Sequence, residues 1–87
     1  MTAMNLIKIT EQAVGDFSIL PADTGKKIHT FIYNELSRRN RPMDEYKDTY
    51  RIRADFFCCT YRGMAVFFER EKNGTVIIAR VVVKTDK

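Results

Sequence analysis

The chain has no tryptophan, only one histidine, two cysteines, two prolines and four glycines in 87 residues. Its longest uninterrupted apolar run is a few residues, far short of the roughly 20 that a membrane-spanning helix needs. Met1–Asn5 carries no basic region and no long apolar stretch follows, so a secretory leader is not expected. Two cysteines without such a leader make no disulfide framework. These shortages point to a cytoplasmic protein with reduced thiols and no membrane partner. The adjacent pair Cys58-Cys59 lacks the spacing of metal ligands, and a regular strand would send the two thiols to opposite faces, one packed and one semi-exposed. His29 falls beside the apolar stripe of an expected helix, where a structural or surface role fits better than that of a base.

What is present is the make-up of one small domain covering residues 1–87. It is 45% apolar and 30% charged, and a chain of this size buries roughly 60–65% of the surface it exposes when unfolded. The net charge of +4 is concentrated: residues 24–41 hold Lys26, Lys27, Arg38, Arg39 and Arg41 against Glu35 alone. Such a cluster permits contact with nucleic acid, and it also suits a solvated helix face.

Residues 5–9 alternate weakly, as a short strand does. Thr10 is placed to cap a helix in which Ala13, Val14, Phe17 and Leu20 recur at helical spacing, with Pro21 ending it. A second helix is expected from Asp23 or Thr24, with Ile28, Phe31, Ile32 and Leu36 as its buried stripe. Arg38, Arg39 and Arg41 then fall at its C-terminus, where cations favour the helix dipole, and residues 43–48 read as a polar connection. From Thr49 the period changes to two. Tyr50, Ile52 and Ala54 alternate with Arg51, Arg53 and Asp55; further strands follow over residues 57–61, 65–68 and 75–83. Asn73-Gly74 reads as a type I′ hairpin turn. The expected fold class is α+β, in the order β-α-α-β-β-β(-β), with both helices on one face of an antiparallel sheet.

If the apolar set faces the helices, the other side collects cations. Arg51 and Arg53 would share that face of one strand, Arg80 and Lys84 that of another, and Arg62 could join them. Cations converging from separate strands suit phosphate; alternatively they only solvate an open sheet and guard its edges. Tyr50, Phe56, Phe57 and Tyr61 interleave with them, and an exposed ring could stack on a base, although most are needed for the core. Gly25-Lys26-Lys27 lacks the rest of a phosphate loop. Asn73-Gly74-Thr75 matches a glycosylation sequon, without meaning in a cytoplasmic protein. Asp44, Glu45 and Asp48 have no further ligands beside them, so neither a metal nor a cofactor is expected.

Three stretches give a resemblance to a known family. Ile7-Lys8-Ile9-Thr10-Glu11-Gln12-Ala13 with Asp16-Phe17, then Tyr50-Arg51-Ile52-Arg53, then Gly63–Phe68 with Asn73-Gly74 and Ile77-Ile78-Ala79-Arg80-Val81-Val82, resemble in order and spacing the toxins of the RelE/ParE superfamily. The resemblance implies a toxin of a type II toxin–antitoxin system, partnered by an acidic, partly disordered antitoxin. Its RelE-like branch implies ribosome-dependent cleavage of messenger RNA. By that likeness Arg51, Arg53, Arg62 and Lys84 would be catalytic, and Arg51, Arg53, Tyr61, Arg80 and Lys84 would bind nucleic acid or the partner. Lys84 is the nearest proton-transfer group, with Tyr61 a more distant one. Its ParE-like branch implies no chemistry, only poisoning of DNA gyrase. The alternative from another class is a non-enzymatic inhibitor, phage or plasmid encoded, that reuses the scaffold. The absence of an obvious acid–base pair favours that alternative.

Overall fold

Thr10 does what its position implies. The computed structural model, which describes residues 4–84, shows its hydroxyl accepting from the Ala13 amide and capping helix α1 (Glu11–Ser18). Strand β1 (Ile7–Ile9) precedes it, and helix α2 (Ala22–Asn34) follows after Pro21. Two short 3₁₀ turns, Leu36–Arg38 and Met43–Glu45, lead into strands β2 (Thr49–Arg53), β3 (Phe56–Tyr61), β4 (Met64–Arg70) and β5 (Val76–Val83). The sheet order is β1-β5-β4-β3-β2. The meander β2–β5 is antiparallel as expected, but β1 runs parallel to β5, with Ile7 opposite Val76. The sheet is therefore mixed. The two helices carry the chain to β2 at the opposite edge, antiparallel to β1, and the meander then brings β5 back beside β1 in parallel.

One apolar cluster lies between the helices and the sheet. Ala13, Ile28, Phe31 and Ile32 meet Phe57, Cys59, Val66, Phe68, Val76 and Ile78 there, with Phe57 and Phe68 stacked 5.6 Å apart. Several details depart from the periodicity. Val14 is exposed although it shares the apolar spacing of α1. Leu36 is buried from the 3₁₀ turn rather than from α2, and Met43 belongs to the core, so residues 43–48 are not simply a polar connection. Arg39 is 7% exposed instead of solvated. It bonds Asp48 at 2.8 Å and Thr49 at 2.9 Å and lies over Tyr46. Both cysteines are buried, though on opposite faces.

The turns also differ from expectation. Gly74 has φ of +95°, but Asn73 does not take positive φ, and five residues separate β4 from β5. The type I′ pattern instead falls at Arg62-Gly63, with φ of +49° and +78° between the paired residues Tyr61 and Met64. Asparagine is the usual first residue of such a turn, so an arginine there is not legible as one.

Candidate functional site on the open sheet face

Two irregularities decide which side chains reach the face opposite the helices. In β5 the register with β4 shifts between Phe67 and Phe68, so that Phe67 pairs with Arg80 and Phe68 with Ile78, leaving Ala79 extra. The bulge turns Arg80 onto the open face; without it Arg80 would follow Ile78 into the core. In β2 the register shifts between Arg51 and Arg53. Arg51 stands opposite Phe57 on the helix side, whereas Arg53 stands opposite Phe56 on the open side. These two arginines therefore do not share a face, which corrects the expectation from alternation. Strand β2 is also inverted relative to that expectation: Tyr50, opposite Cys58, is on the open side and 56% exposed. The helix side of β2 is polar because it meets Arg39, Asp48 and Asp44 there rather than α2.

Register places the open face in rows. Arg53, Phe56, Glu69, Ile77 and Lys8 form one; Tyr50, Cys58, Phe67 and Arg80 the next; Thr60, Ala65 and Val82 a third. Lys84 continues the alternation beyond Val82, its amide bonded to Gly63. A shallow depression of about 400 Å³ is lined by Tyr50, Cys58, Thr60, Ala65, Phe67, Val82, Val83 and Lys84. Its floor is apolar, Lys84 is the charged residue that lines it, and Arg80 adjoins it next to Phe67.

The expected cations divide. Arg80 and Lys84 lie on this face four residues apart on β5, about 13 Å at strand rise, and so address different groups on a ligand. Arg53 shares the face but sits at its far end, three rows or on the order of 20 Å from Lys84. Arg51 is taken up elsewhere: it bonds the Asp44 carboxylate at 3.3 Å and the Ala54 carbonyl, and lies over the Phe57 ring. It lines a separate cleft with Arg70, Met43 and Asp55. Arg62 is on the β3–β4 turn, bonded to the Tyr61 hydroxyl. Tyr61 itself stacks on Phe31 at 4.3 Å, on the helix side. His29 is outside the face too, packed against Tyr33 on α2.

Titration narrows the chemistry. Burial pushes the Cys59 thiol up to about 11, so it is no nucleophile near neutrality. Tyr50 stands opposite Cys58 on the neighbouring strand, and that thiol raises the phenol above its ordinary value, which suits a neutral stacking ring rather than a base. Arg80 donates through Nε and Nη2 to the Asp16 carboxylate at 2.8 and 3.0 Å. That bonding, with the Val81 amide and the arginine's charge, holds Asp16 below the usual carboxylate range against the opposing effect of burial. Among the described residues no group of three or more His, Cys, Asp or Glu could hold a metal ion, and no helix is long and apolar enough to cross a membrane.

No protein-family model and no curated protein matches this chain, but solved structures do. The toxin–antitoxin complex RelBE2 from Mycobacterium tuberculosis matches with a TM-score of 0.81 at 20% identity, over 99% of this chain and 98% of that one. The isolated E. coli RelE toxin matches with a TM-score of 0.75 at 12% identity, over 95% and 87%. The archaeal RelE–RelB complex from Pyrococcus horikoshii matches with a TM-score of 0.68 at 16% identity, over all of both chains. The chain thus shares the fold of these proteins over 95% or more of its length.

Proposed function

We propose that this protein is the toxin of a toxin–antitoxin pair and that it acts on messenger RNA at the ribosome through the open sheet face. The observation that carries the reading is that Tyr50 and Lys84 line one apolar depression with Arg80 beside it in the row of Tyr50, Cys58 and Phe67, on a fold shared with the RelE toxin over 95% of this chain. Single-stranded RNA is bound by stacking rings beside cations, and Tyr50 is the most exposed ring on this face. Cleavage of RNA by its own 2′-oxygen forms a bond from that oxygen to phosphorus and breaks the bond to the 5′-oxygen. The 2′-hydroxyl gives up its proton to solvent, negative charge grows on the phosphorus oxygens, and the leaving oxygen takes a proton. The Lys84 ammonium on the rim offsets that charge and donates the proton, while Arg80, about 13 Å along the strand, holds a neighbouring backbone phosphate. Arg53 holds the strand farther along. An acidic antitoxin segment covering this face would switch the activity off by occupying the same cations.

Induced expression without an antitoxin is expected to arrest growth and to leave transcripts cut within their coding regions while chromosomal DNA stays whole. Broken DNA linked to gyrase with intact transcripts would refute the RNA reading and favour gyrase poisoning. One feature favours a second reading. Arg51, Arg62 and Tyr61 are all drawn off the face, which leaves Lys84 as the one charged side chain lining the depression among the described residues. A non-enzymatic inhibitor on this scaffold would arrest growth, or leave it unaffected, with transcripts and DNA both whole.

A further inference from the structure

Asp16 stands out among the charged groups around the open face. It projects from α1, yet its side chain is only 12% exposed. Its carboxylate takes three donors: Arg80 Nε at 2.8 Å, Arg80 Nη2 at 3.0 Å and the Val81 amide at 2.9 Å. The third bond ties the carboxylate to the backbone of β5, so the fork on Arg80 is fixed to the sheet and not merely to another mobile side chain. The start of α1 is fixed as well, since the Thr10 hydroxyl contacts the Ile78 and Ala79 carbonyls at the bulge that sends Arg80 to the open face. Bulge, cap and fork act on a single guanidinium.

A guanidinium is planar and offers donors along more than one edge. The Nε–Nη2 edge is spent on Asp16. Nη1 has no hydrogen-bond partner among the described residues, and Arg80 as a whole is half exposed. The Nη1–Nη2 edge therefore remains for a bidentate acceptor.

We infer that Asp16 is a positioning residue, which holds Arg80 so that its remaining edge meets a phosphate of the RNA backbone on the open face. The inference rests on the RNA-directed reading above. A free arginine loses rotamer freedom when it binds, and a clamped one has already lost it. The clamp also carries a cost, because a carboxylate near a polyanion repels it. Charge alone and positioning thus give opposite signs for the same substitution.

The test measures binding of a short single-stranded RNA with 2′-methoxy riboses, which cannot be cleaved, by fluorescence anisotropy at fixed salt. The proteins are the natural chain, D16N, R80A and the double variant, each checked for its thermal transition. D16N is expected to bind two- to tenfold more weakly, the range for one newly freed side chain, despite losing a negative charge. The double variant is expected to bind no more weakly than R80A, because Asp16 acts only through Arg80. If R80A is weak while D16N binds as the natural chain does, or more tightly, the positioning role is overturned and the RNA reading stands. If R80A binds as tightly as the natural chain, Arg80 meets no phosphate and the inference fails alone; if neither binds, the RNA reading fails and the inference with it. Should D16N not fold, R80K keeps the charge and the Asp16–Val81 bond but removes the fork; unchanged affinity in R80K overturns the inference equally.

Discussion

Arg39→Ala is expected to destabilise the protein by about 2–4 kcal/mol, a figure that follows from what the guanidinium touches. It bonds the Asp48 carboxylate and the Thr49 hydroxyl, while Thr49 bonds Asp48 in turn, closing a triangle. The rings of Tyr46 and Phe31 lie 4.3 and 5.6 Å from the guanidinium carbon. Removing one partner of a fully buried pair costs roughly 3–5 kcal/mol. Here Asp48 is one-third exposed and can rehydrate, which trims the loss. Two cation–ring contacts at about 0.5–1 kcal/mol each and the stranded, 6% exposed Thr49 keep it well above that of a surface site. Stability for a chain of this length is about 4–13 kcal/mol, so a large share is at stake. Thermal unfolding followed by circular dichroism should show a midpoint lower by about 10–25 °C. The neighbouring, exposed Arg38 is the control: Arg38→Ala should stay within about 0.5 kcal/mol of the natural chain. If the two variants melted together, the buried triangle would not hold the 3₁₀ turn to β2.

Three further outcomes follow from local geometry. Gly74→Ala should destabilise by at least about 1–2 kcal/mol, since a Cβ there would lie 2.6 Å from the Asn5 side-chain oxygen at a φ of +95°; urea unfolding midpoints measure this. Ala54→Gly should stabilise by up to about 1 kcal/mol, because Ala54 sits at φ of +40°; an unchanged or lower urea midpoint would contradict that. Acid should unfold the protein through Asp16 and Asp48, both held below the ordinary value of 3.8. Burial alone would raise Asp48, but bonds from Arg39 and Thr49 outweigh it. Folded values below unfolded ones give stability that is complete above the unfolded pKa, near 3.9, and lost as pH falls through the folded values. Melting points should therefore be flat from pH 7 to 5 and drop below about 4, with D48N removing part of the drop.

The order of elements was legible because each carries a local signal: the Thr10 cap, Pro21 between the helices, the Ile28–Phe31–Ile32 stripe, and the change to period two at Thr49. The faces were less so. Alternation fixes a face only while register is unbroken, and the bulges at Ile52 and Ala79 break it in the two strands that carry the arginines. Arg80 and Lys84 were still paired correctly because both follow the β5 bulge. Arg51 and Arg53 flank the other one and part company. Arg39 and Tyr61 were misplaced for a different reason, since their partners Asp48 and Phe31 belong to other elements and nothing local marks the contact. Asp16 lay in plain sight within the opening motif, but its partner is 64 residues away.

The most direct measurement compares cleavage of ribosome-bound messenger RNA by two pairs of variants, all confirmed folded. Tyr50→Ala and Lys84→Ala alter the open face; Arg51→Ala and Arg62→Ala alter the helix side and the β3–β4 turn. Loss of cleavage in the first pair with cleavage kept in the second is expected. Cleavage kept in the first pair and lost in the second would place the active surface elsewhere and contradict the assignment of the open face.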